Sequence, residues 1–138
     1  MTIESTAFDG LFVLTPRVLG DERGYFMESY NARTFQELGF DMVFIQDNQS
    51  RSSKGVLRGM HFQNAPHAQT KLVRVLSGSI WDVVIDLRRD HPTFAKHFGI
   101  ELSSENKKQL LVPKGFAHGF VVLSEQAEVL YKCDEYYH

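Results

Sequence analysis

A histidine flanked by glycine in an apparent strand is the first feature of this sequence that could support chemistry. His61 lies in Val56–Gln63. In an extended segment it would share a face with Gly59, which leaves room beside it, and with Gln63, while Arg58 would point the other way. A histidine in a sheet is more often hydrogen-bonded to a neighbour than catalytic. The alternative is a general base, because imidazole exchanges protons near neutral pH.

A second histidine, His118, follows a Pro-x-Gly-x-x-His turn in Pro113–Phe120. This spacing occurs in small barrels of the cupin class, where the histidine points into the barrel mouth and often joins a His-x-His pair and a glutamate on a metal. Here the pair reads His61-Phe62-Gln63, and glutamine is a poor replacement ligand. The sequence therefore favours metal-free chemistry without a cofactor. The remaining histidines lie in polar or irregular sequence and are expected at the surface without a role: His67, His91, His97 and His138.

Two further strand residues could act on a reacting centre. In the strand that begins at Lys71, alternation requires either Lys71 or Arg74 to approach the buried face. An inward lysine can stabilise a developing oxyanion, although a surface lysine is the commoner case. Tyr131 lies in another strand, where a phenol could donate a proton or simply pack.

Other side chains suit an anionic or nucleotide ligand. Arg23 and Arg58 could each offer a bidentate fork to a phosphate. Gln46 and Asn48 lie two apart, on one face of a strand, and could read a base or sugar edge. Ordinary turn and edge positions are the alternative for all four. The sequence has no Gly-rich phosphate loop, GxSxG elbow, HExxH helix or CxxC pair, which argues against the enzyme classes that depend on them.

Composition limits the setting of these residues. The 138 residues are 43% hydrophobic, enough for the core of one domain spanning 1–138. A formal charge of -2 supplies no general attraction for nucleic acid or an anionic membrane. The first ten residues lack the pattern of a signal peptide, and the lone Cys133 cannot form an internal disulfide. We therefore expect a cytoplasmic protein.

Period-two patterns dominate the elements that must hold these residues. Leu72–Leu76 and Ile80–Leu87 are predicted to form a hairpin around Ser77-Gly78. Asn31–Gly39 is the one predicted helix, capped by Asn31 and ended by Gly39. Strands recurring this often predict an antiparallel sandwich or barrel with one or two short helices. The other strand candidates are Phe12–Leu14, Tyr25–Ser29, Val43–Gln46, Val56–Phe62, His97–Leu102, Gln109–Val112, Ala117–Leu123 and Ala127–Cys133.

Taken together, the segments resemble the dTDP-4-dehydrorhamnose 3,5-epimerase family from about Val13 to Tyr137. The resemblance is carried in order by Gly-Asp-Glu-Arg-Gly-Tyr-Phe (20–26), Phe-Ile-Gln-Asp-Asn (44–48), Val-Leu-Arg-Gly-Met-His-Phe-Gln (56–63), Lys-Leu-Val-Arg-Val (71–75), Asp-Val-Val-Ile-Asp-Leu-Arg (82–88), Pro-Thr-Phe (92–94), Leu-Ser-Ser-Glu-Asn (102–106), Gly-Phe-Ala-His-Gly-Phe (115–120) and Ala-Glu-Val-Leu-Tyr-Lys (127–132). It implies a metal-free cupin-type barrel of the jelly-roll kind, usually a homodimer, that epimerises a nucleotide-linked 4-keto-6-deoxyhexose in a deoxysugar pathway for surface polysaccharide.

The resemblance also implies roles for individual residues. His61 would be the base, Lys71 would stabilise the enolate oxygen, and Tyr131 would be the acid on the opposite side. His118 would line the sugar pocket. Arg23 and Arg58 would bind the diphosphate, with further nucleotide contacts from Phe26, Glu28, Gln46, Asn48 and Tyr137. Family members build each site partly from the partner subunit, so some of these contacts would be made in trans.

One expectation concerns the end of the sequence. Family members typically continue for tens of residues beyond the Tyr-Tyr pair, Tyr136-Tyr137 here, and that tail supplies an aspartate to the catalytic histidine. This sequence ends at His138, so Asp82, Asp86 or a water is expected to serve His61 instead. A single-carbon epimerase or an inactive relative then becomes an alternative. So do a 3,4-ketoisomerase and a non-catalytic sugar-nucleotide binding protein, and the pyrimidine base stays open.

Overall fold

The computed structural model describes all residues, 1–138, and contains twelve strands and one helix. The strands are β1 Thr2–Ser5, β2 Phe12–Thr15, β3 Leu19–Asp21, β4 Gly24–Phe26, β5 Gln46–Ser53, β6 Leu57–His61, β7 Lys71–Ser77, β8 Ser79–Asp86, β9 His97–Ser103, β10 Gln109–Val112, β11 Phe116–Val122 and β12 Gln126–Cys133; the helix is α1 Ala32–Glu37. The helix is far too short to cross a membrane, and no other helix is present.

The strands form two main antiparallel sheets and a separate hairpin. The larger sheet has the order β1-β2-β10-β7-β12-β5, and the smaller has the order β6-β11-β8-β9. Strands β3 and β4 pair only with each other. This architecture confirms the predicted mainly β, jelly-roll fold of the cupin type with a single short helix.

A core of apolar side chains joins the two main sheets. Val73, Leu110 and Val129 come from the larger sheet, and Val84 and Phe120 come from the smaller one, all with little or no exposed surface. Their β-branched and aromatic side chains suit a pleated surface that is buried on one face. Burying this face fixes the register of each strand, because a one-residue slip would turn its apolar side chains to solvent.

The helix closes a second, smaller core on the outer face of the larger sheet. Phe35 is buried there against Leu14, Leu72 and Leu111. The Asn31 side chain accepts hydrogen bonds from the backbone N–H groups of the first turn, 33 and 34, which confirms the predicted N-cap. Residue 39, the predicted stop, has a left-handed backbone conformation with φ of 88°.

The predicted hairpin of β7 and β8 does not form. Strand β7 pairs with β10 and β12 in the larger sheet, whereas β8 pairs with β11 and β9 in the smaller one. Gly78 turns the corner between the sheets with φ of 80°, and a Cβ there would lie 2.1 Å from the carbonyl oxygen of Gln126. A tight turn between two alternating segments is compatible with a hairpin or with a sheet-to-sheet corner, and only tertiary packing separates these outcomes.

Strand β5 lies one strand length later than the sequence predicted. Val43–Gln46 was expected to be a strand, but β5 begins at Gln46 and continues through polar residues to Ser53. It is an edge strand, paired with β12 alone. Because one edge and much of one face meet solvent, it carries little of the apolar alternation that marks interior strands.

Candidate active site

Strands β6 and β11 bring the two singled-out histidines together. His61 lies directly opposite His118 in the antiparallel ladder. Side chains of directly opposed residues project from the same face, with Cβ atoms roughly 5 Å apart. His118 is buried, whereas His61 is exposed at the edge of the smaller sheet. The sheet therefore supplies one inner and one outer imidazole on a single face.

A bulge in β6 adds a cation to the same cavity. Arg58 pairs with Phe120 while His61 pairs with His118, so three steps along β6 face two steps along β11. Strict alternation would place residues three apart on opposite faces, as the sequence predicted. The extra residue of the bulge shifts the phase, and Arg58 lines the same cavity as His61. Arg58 Nε donates to the hydroxyl of Ser52 at 2.7 Å.

Three residues of the larger sheet form the facing wall. Tyr131 lies opposite Asn48 on β5 and Val73 on β7, and Lys71 lies two residues before Val73. This diagonal places the Lys71 amine 5.4 Å from the centre of the Tyr131 ring. The Tyr131 ring also meets the His118 ring edge-on, with centroids 6.2 Å apart. The prediction that one cation of β7 approaches the interior is confirmed, since Lys71 is only 7% exposed.

A cavity of about 220 Å³ lies between these walls. It brings together six of the predicted site residues: Asn48, Arg58, His61, Lys71, His118 and Tyr131. The volume lies below the roughly 300–1,000 Å³ typical of ligand pockets. A single sugar ring matches this size better than a complete nucleotide sugar does, so the remainder of such a ligand would extend along the surface.

The inner histidine has a buried carboxylate partner. His118 Nε2 lies 2.7 Å from Asp82 Oδ1, and neither side chain has appreciable exposure. Such a pair fixes the orientation of the imidazole and the nitrogen that it presents to the cavity. Asp82 was expected as a possible partner of His61, and this expectation is wrong, because the carboxylate is bound to the other histidine.

Asp86, the other expected partner of His61, is also bound elsewhere. Arg88 Nε and Nη2 donate to its two carboxylate oxygens at 2.9 and 3.0 Å, and the Thr93 hydroxyl donates to one of them. Burial by itself raises the pKa of Asp86, but these hydrogen bonds outweigh it and lower the pKa to about 2. Asp86 is therefore an ionised anchor of the segment after β8 and not a partner of His61.

The environment of Lys71 makes its amine easier to deprotonate than an exposed lysine. Burial lowers the pKa of Lys71 because it disfavours the charged form. The negative charge of Asp82 opposes this shift but does not cancel it. A buried ammonium facing a cavity is a strong electrostatic feature, since little water screens it.

The remaining predicted ligands lie outside this cavity. Arg23 is 87% exposed and binds Asp21 at 2.6 Å in the turn of the β3–β4 hairpin. Phe26 and Glu28 line a separate surface pocket, where Glu28 accepts a hydrogen bond from Asn31. At the other end of the chain, Gln46 and Tyr137 meet, with the Tyr137 N–H donating to Gln46 Oε1 at 3.3 Å.

Several residues of the cavity were missed by sequence reasoning. Gln49 and Ser50 line it from β5, and Gly119 and Phe120 line it from β11. Asp82 supports it from beneath through His118. The position of Asp82 in an alternating strand is the one local signal that a carboxylate could face inward; Gln49 and Ser50 lie in a polar edge strand without any such signal.

Comparisons with known proteins agree with this arrangement. The family model for dTDP-4-dehydrorhamnose 3,5-epimerase matches residues 5–138. The enzyme of that name from Salmonella typhimurium is 54% identical over 138 residues, covering 99% of this chain and 75% of its own length. The chain therefore spans about three quarters of that relative.

Solved structures agree equally well. The Elizabethkingia anophelis dTDP-4-dehydrorhamnose 3,5-epimerase is 54% identical with a TM-score of 0.94, covering 100% of this chain and 76% of its own. The Legionella pneumophila dTDP-6-deoxy-D-glucose-3,5-epimerase, solved with dTDP-4-keto-L-rhamnose, is 51% identical with a TM-score of 0.95 and covers 99% and 73% of the two chains. Fold, motif order and overall likeness coincide, and the chain belongs to the dTDP-4-dehydrorhamnose 3,5-epimerase family.

Proposed function

We propose that this protein epimerises a nucleotide-linked 4-keto-6-deoxyhexose of the dTDP-4-dehydro-6-deoxyglucose type, at carbon 3, carbon 5 or both. Carbons 3 and 5 flank the ketone, so loss of either proton gives an enolate, and return of a proton from the other face inverts the centre. The observation that carries the proposal is the convergence of His61, Lys71 and Tyr131 on one cavity. A role in deoxysugar synthesis for surface polysaccharide and a cytoplasmic location stay predictions.

Each of the three residues has a distinct role in this proposal. His61 removes the proton, since an exposed imidazole at the cavity rim can pass it on to solvent. The Lys71 ammonium stabilises the enolate oxygen from within. Tyr131, on the wall formed by the larger sheet, delivers a proton to the opposite face of the ring. His118, held by Asp82, orients the sugar through the nitrogen or ring edge that faces the cavity.

We further propose that the working form is a homodimer with shared sites. Arg23 and Phe26 lie on a hairpin that pairs with neither main sheet, and both side chains are exposed. They would serve the diphosphate and the base of a substrate held in the partner's cavity. Arg58, Gln46, Asn48 and Tyr137 would supply contacts from the subunit that holds the sugar. The small volume of the cavity supports this division, because the nucleotide must lie outside it.

Proton exchange tests the proposed reaction directly. The protein is incubated with the 4-keto sugar nucleotide in deuterated buffer and followed by proton NMR. We expect deuterium to enter at carbon 3, carbon 5 or both, and the pattern separates single from double epimerisation. His61→Ala should lower exchange by roughly a thousandfold or more, the scale of a lost general base. His97→Ala, which changes an exposed histidine on β9, serves as the matched control.

Other outcomes would favour the competing activities. Movement of the carbonyl in the carbon spectrum would identify a 3,4-ketoisomerase. Tight binding of the sugar nucleotide by wild type and His61→Ala alike, without exchange at either carbon, would identify a non-catalytic binding protein.

A further inference from the structure

A cluster of three potential metal ligands lies outside the candidate active site. His67, Glu135 and His138 each offer one ligand atom, and these atoms lie within 4.8 Å of one another. None of the three lines the cavity that contains His61. The sequence assigned His67 and His138 no role, because 71 residues of chain separate them and only the fold brings them together.

The donor set suits a late first-row divalent metal. Two imidazoles and one carboxylate are ligands that zinc accepts in tetrahedral sites with a water in the fourth position. Glu135 Oε1 accepts the N–H of Tyr136 at 2.9 Å and lies 3.9 Å from His138 Nε2. Glu135 Oε2 is left to face a cation.

The backbone around the cluster is held by a set of hydrogen bonds. The Gln63 amide donates to the carbonyl oxygens of His67 at 2.6 Å and Tyr136 at 3.2 Å, and its Oε1 accepts the N–H of His138 at 2.8 Å. One side chain thus connects two of the three ligand residues. Gln69 adds a bond to the carbonyl of Glu135 at 2.9 Å. These bonds bring the ligands together before any ion arrives, which lowers the ordering cost of binding.

The two imidazoles need only a local rearrangement to share an ion. Their rings are stacked, with centroids 3.6 Å apart and planes 22° apart. Ligand atoms around a tetrahedral zinc ion lie roughly 3.3 Å apart, so the rings must rotate until both nitrogen lone pairs converge. The His138 side chain is 46% exposed and has space to turn. Stacked imidazoles also require at least one neutral ring, the form in which histidine binds metals.

We propose that His67, Glu135 and His138 bind one divalent transition-metal ion, of which Zn²⁺ is the representative, and that this ion clamps the 62–70 loop to the 134–138 segment. The loop follows directly from His61, and the segment carries Tyr137, so the clamp fixes two borders of the cavity without supplying a catalytic group. The proposal is independent of the substrate and of the reaction.

Metal titration of the whole chain tests this site. After treatment with a chelator, the protein is titrated with Zn²⁺ alone by calorimetry, and Co²⁺ replaces it for visible spectroscopy. We expect about one ion per chain and the d–d bands of a low-symmetry nitrogen and oxygen site. His67→Ala, Glu135→Gln and His138→Ala should each weaken binding by about tenfold or more, and Gln63→Ala should weaken it by a similar factor although it removes no ligand.

A second histidine with acidic neighbours provides the control. His91 lies 2.8 Å from Asp90 and 3.6 Å from Asp9, and it is remote in sequence from the cluster. His91→Ala should leave the Zn²⁺ affinity unchanged. Circular dichroism establishes that each variant is folded. The proposal is overturned if wild type shows no saturable binding, if the three ligand variants bind as wild type does, or if His91→Ala is the change that removes binding.

Discussion

Lys71 shows how a single side chain can oppose stability at a functional position. Its amine lies in the interior beside Tyr131, with 7% of the residue exposed. Burial lowers the pKa of Lys71, so the folded state disfavours the charge that the unfolded chain carries freely in water. Natural proteins accept such costs where activity requires a poised charge.

Replacing Lys71 with methionine should therefore stabilise the fold and remove turnover. Because the folded-state pKa lies below the unfolded one, the penalty is fully present below the folded pKa and disappears above the unfolded one. Lys71→Met should raise the free energy of unfolding by about 1 kcal/mol at neutral pH, and the gain should fade as pH approaches the ordinary lysine value. Urea denaturation at both pH values, with turnover measured alongside, checks this. A loss of stability at neutral pH would mean that attraction to Asp82 outweighs burial.

At the scale of elements, the bulge in β6 decides the shape of the cavity. Strands β6 and β11 approach so closely at the bulge that a Cβ on Gly59 would lie 2.6 Å from Gly119 Cα. The sequence indicated that glycines leave room beside both histidines, and this is confirmed. It did not indicate that the room is used by the neighbouring strand, nor that the bulge turns Arg58 to the side of His61.

Gly119→Ala should separate the two strands. The new methyl would lie 2.9 Å from the carbonyl oxygen of Arg58 and 2.6 Å from Met60 Sδ, so β6 must move. We expect a loss of roughly 1–3 kcal/mol in the free energy of unfolding, typical of overpacking, and a larger proportional loss of turnover because His61 moves away from the facing wall. Urea denaturation and turnover at a temperature where the variant is folded test this.

Gly20→Ala is the matched control for Gly119→Ala. A Cβ there meets only the carbonyl oxygen of Gly24, at an ordinary contact distance of 3.7 Å. Its stability should stay within about 0.5 kcal/mol of wild type. Equal effects from the two substitutions would show that strand approach at Gly119 does not set the geometry.

At the scale of the whole molecule, the β3–β4 hairpin is the element that the single chain does not explain. It pairs with neither main sheet, and it exposes Tyr25 and Phe26 by 60% and 66%. Exposed aromatic side chains beside an arginine are typical of protein interfaces and of stacking sites. In the proposed homodimer, this hairpin completes the partner's site.

Mixing two inactive variants tests whether the sites are shared. In a mixed dimer of Arg23→Ala and His61→Ala, a site built in trans leaves one cavity with both defects and the other intact. Remixing equal amounts through the unfolded state should therefore restore about a quarter of wild-type activity at low substrate concentration. Arg58→Ala mixed with His61→Ala is the control, because both residues line one cavity and no combination leaves a site intact. Equal failure of both mixtures would place Arg23 in cis.

The sequence alone determined the strand content, the capped helix and the types of residue at the site. These follow from local causes: alternation of β-branched residues, an asparagine that accepts N–H bonds, and a histidine or lysine beside small residues. Motif order also identified the family and therefore the set of residues to examine. Each of these signals is contained within a few neighbouring residues, so it survives without knowledge of the rest of the chain.

Only the tertiary structure decided which of those residues meet. It sent β7 and β8 to different sheets, assigned Asp82 to His118, and joined His67 to His138. It also left Arg23 outside the cavity that its role requires. These outcomes depend on pairings between distant strands, where closing the core selects one register among several that the local pattern allows. Alternation states which face a side chain occupies, but only packing states what lies across from it.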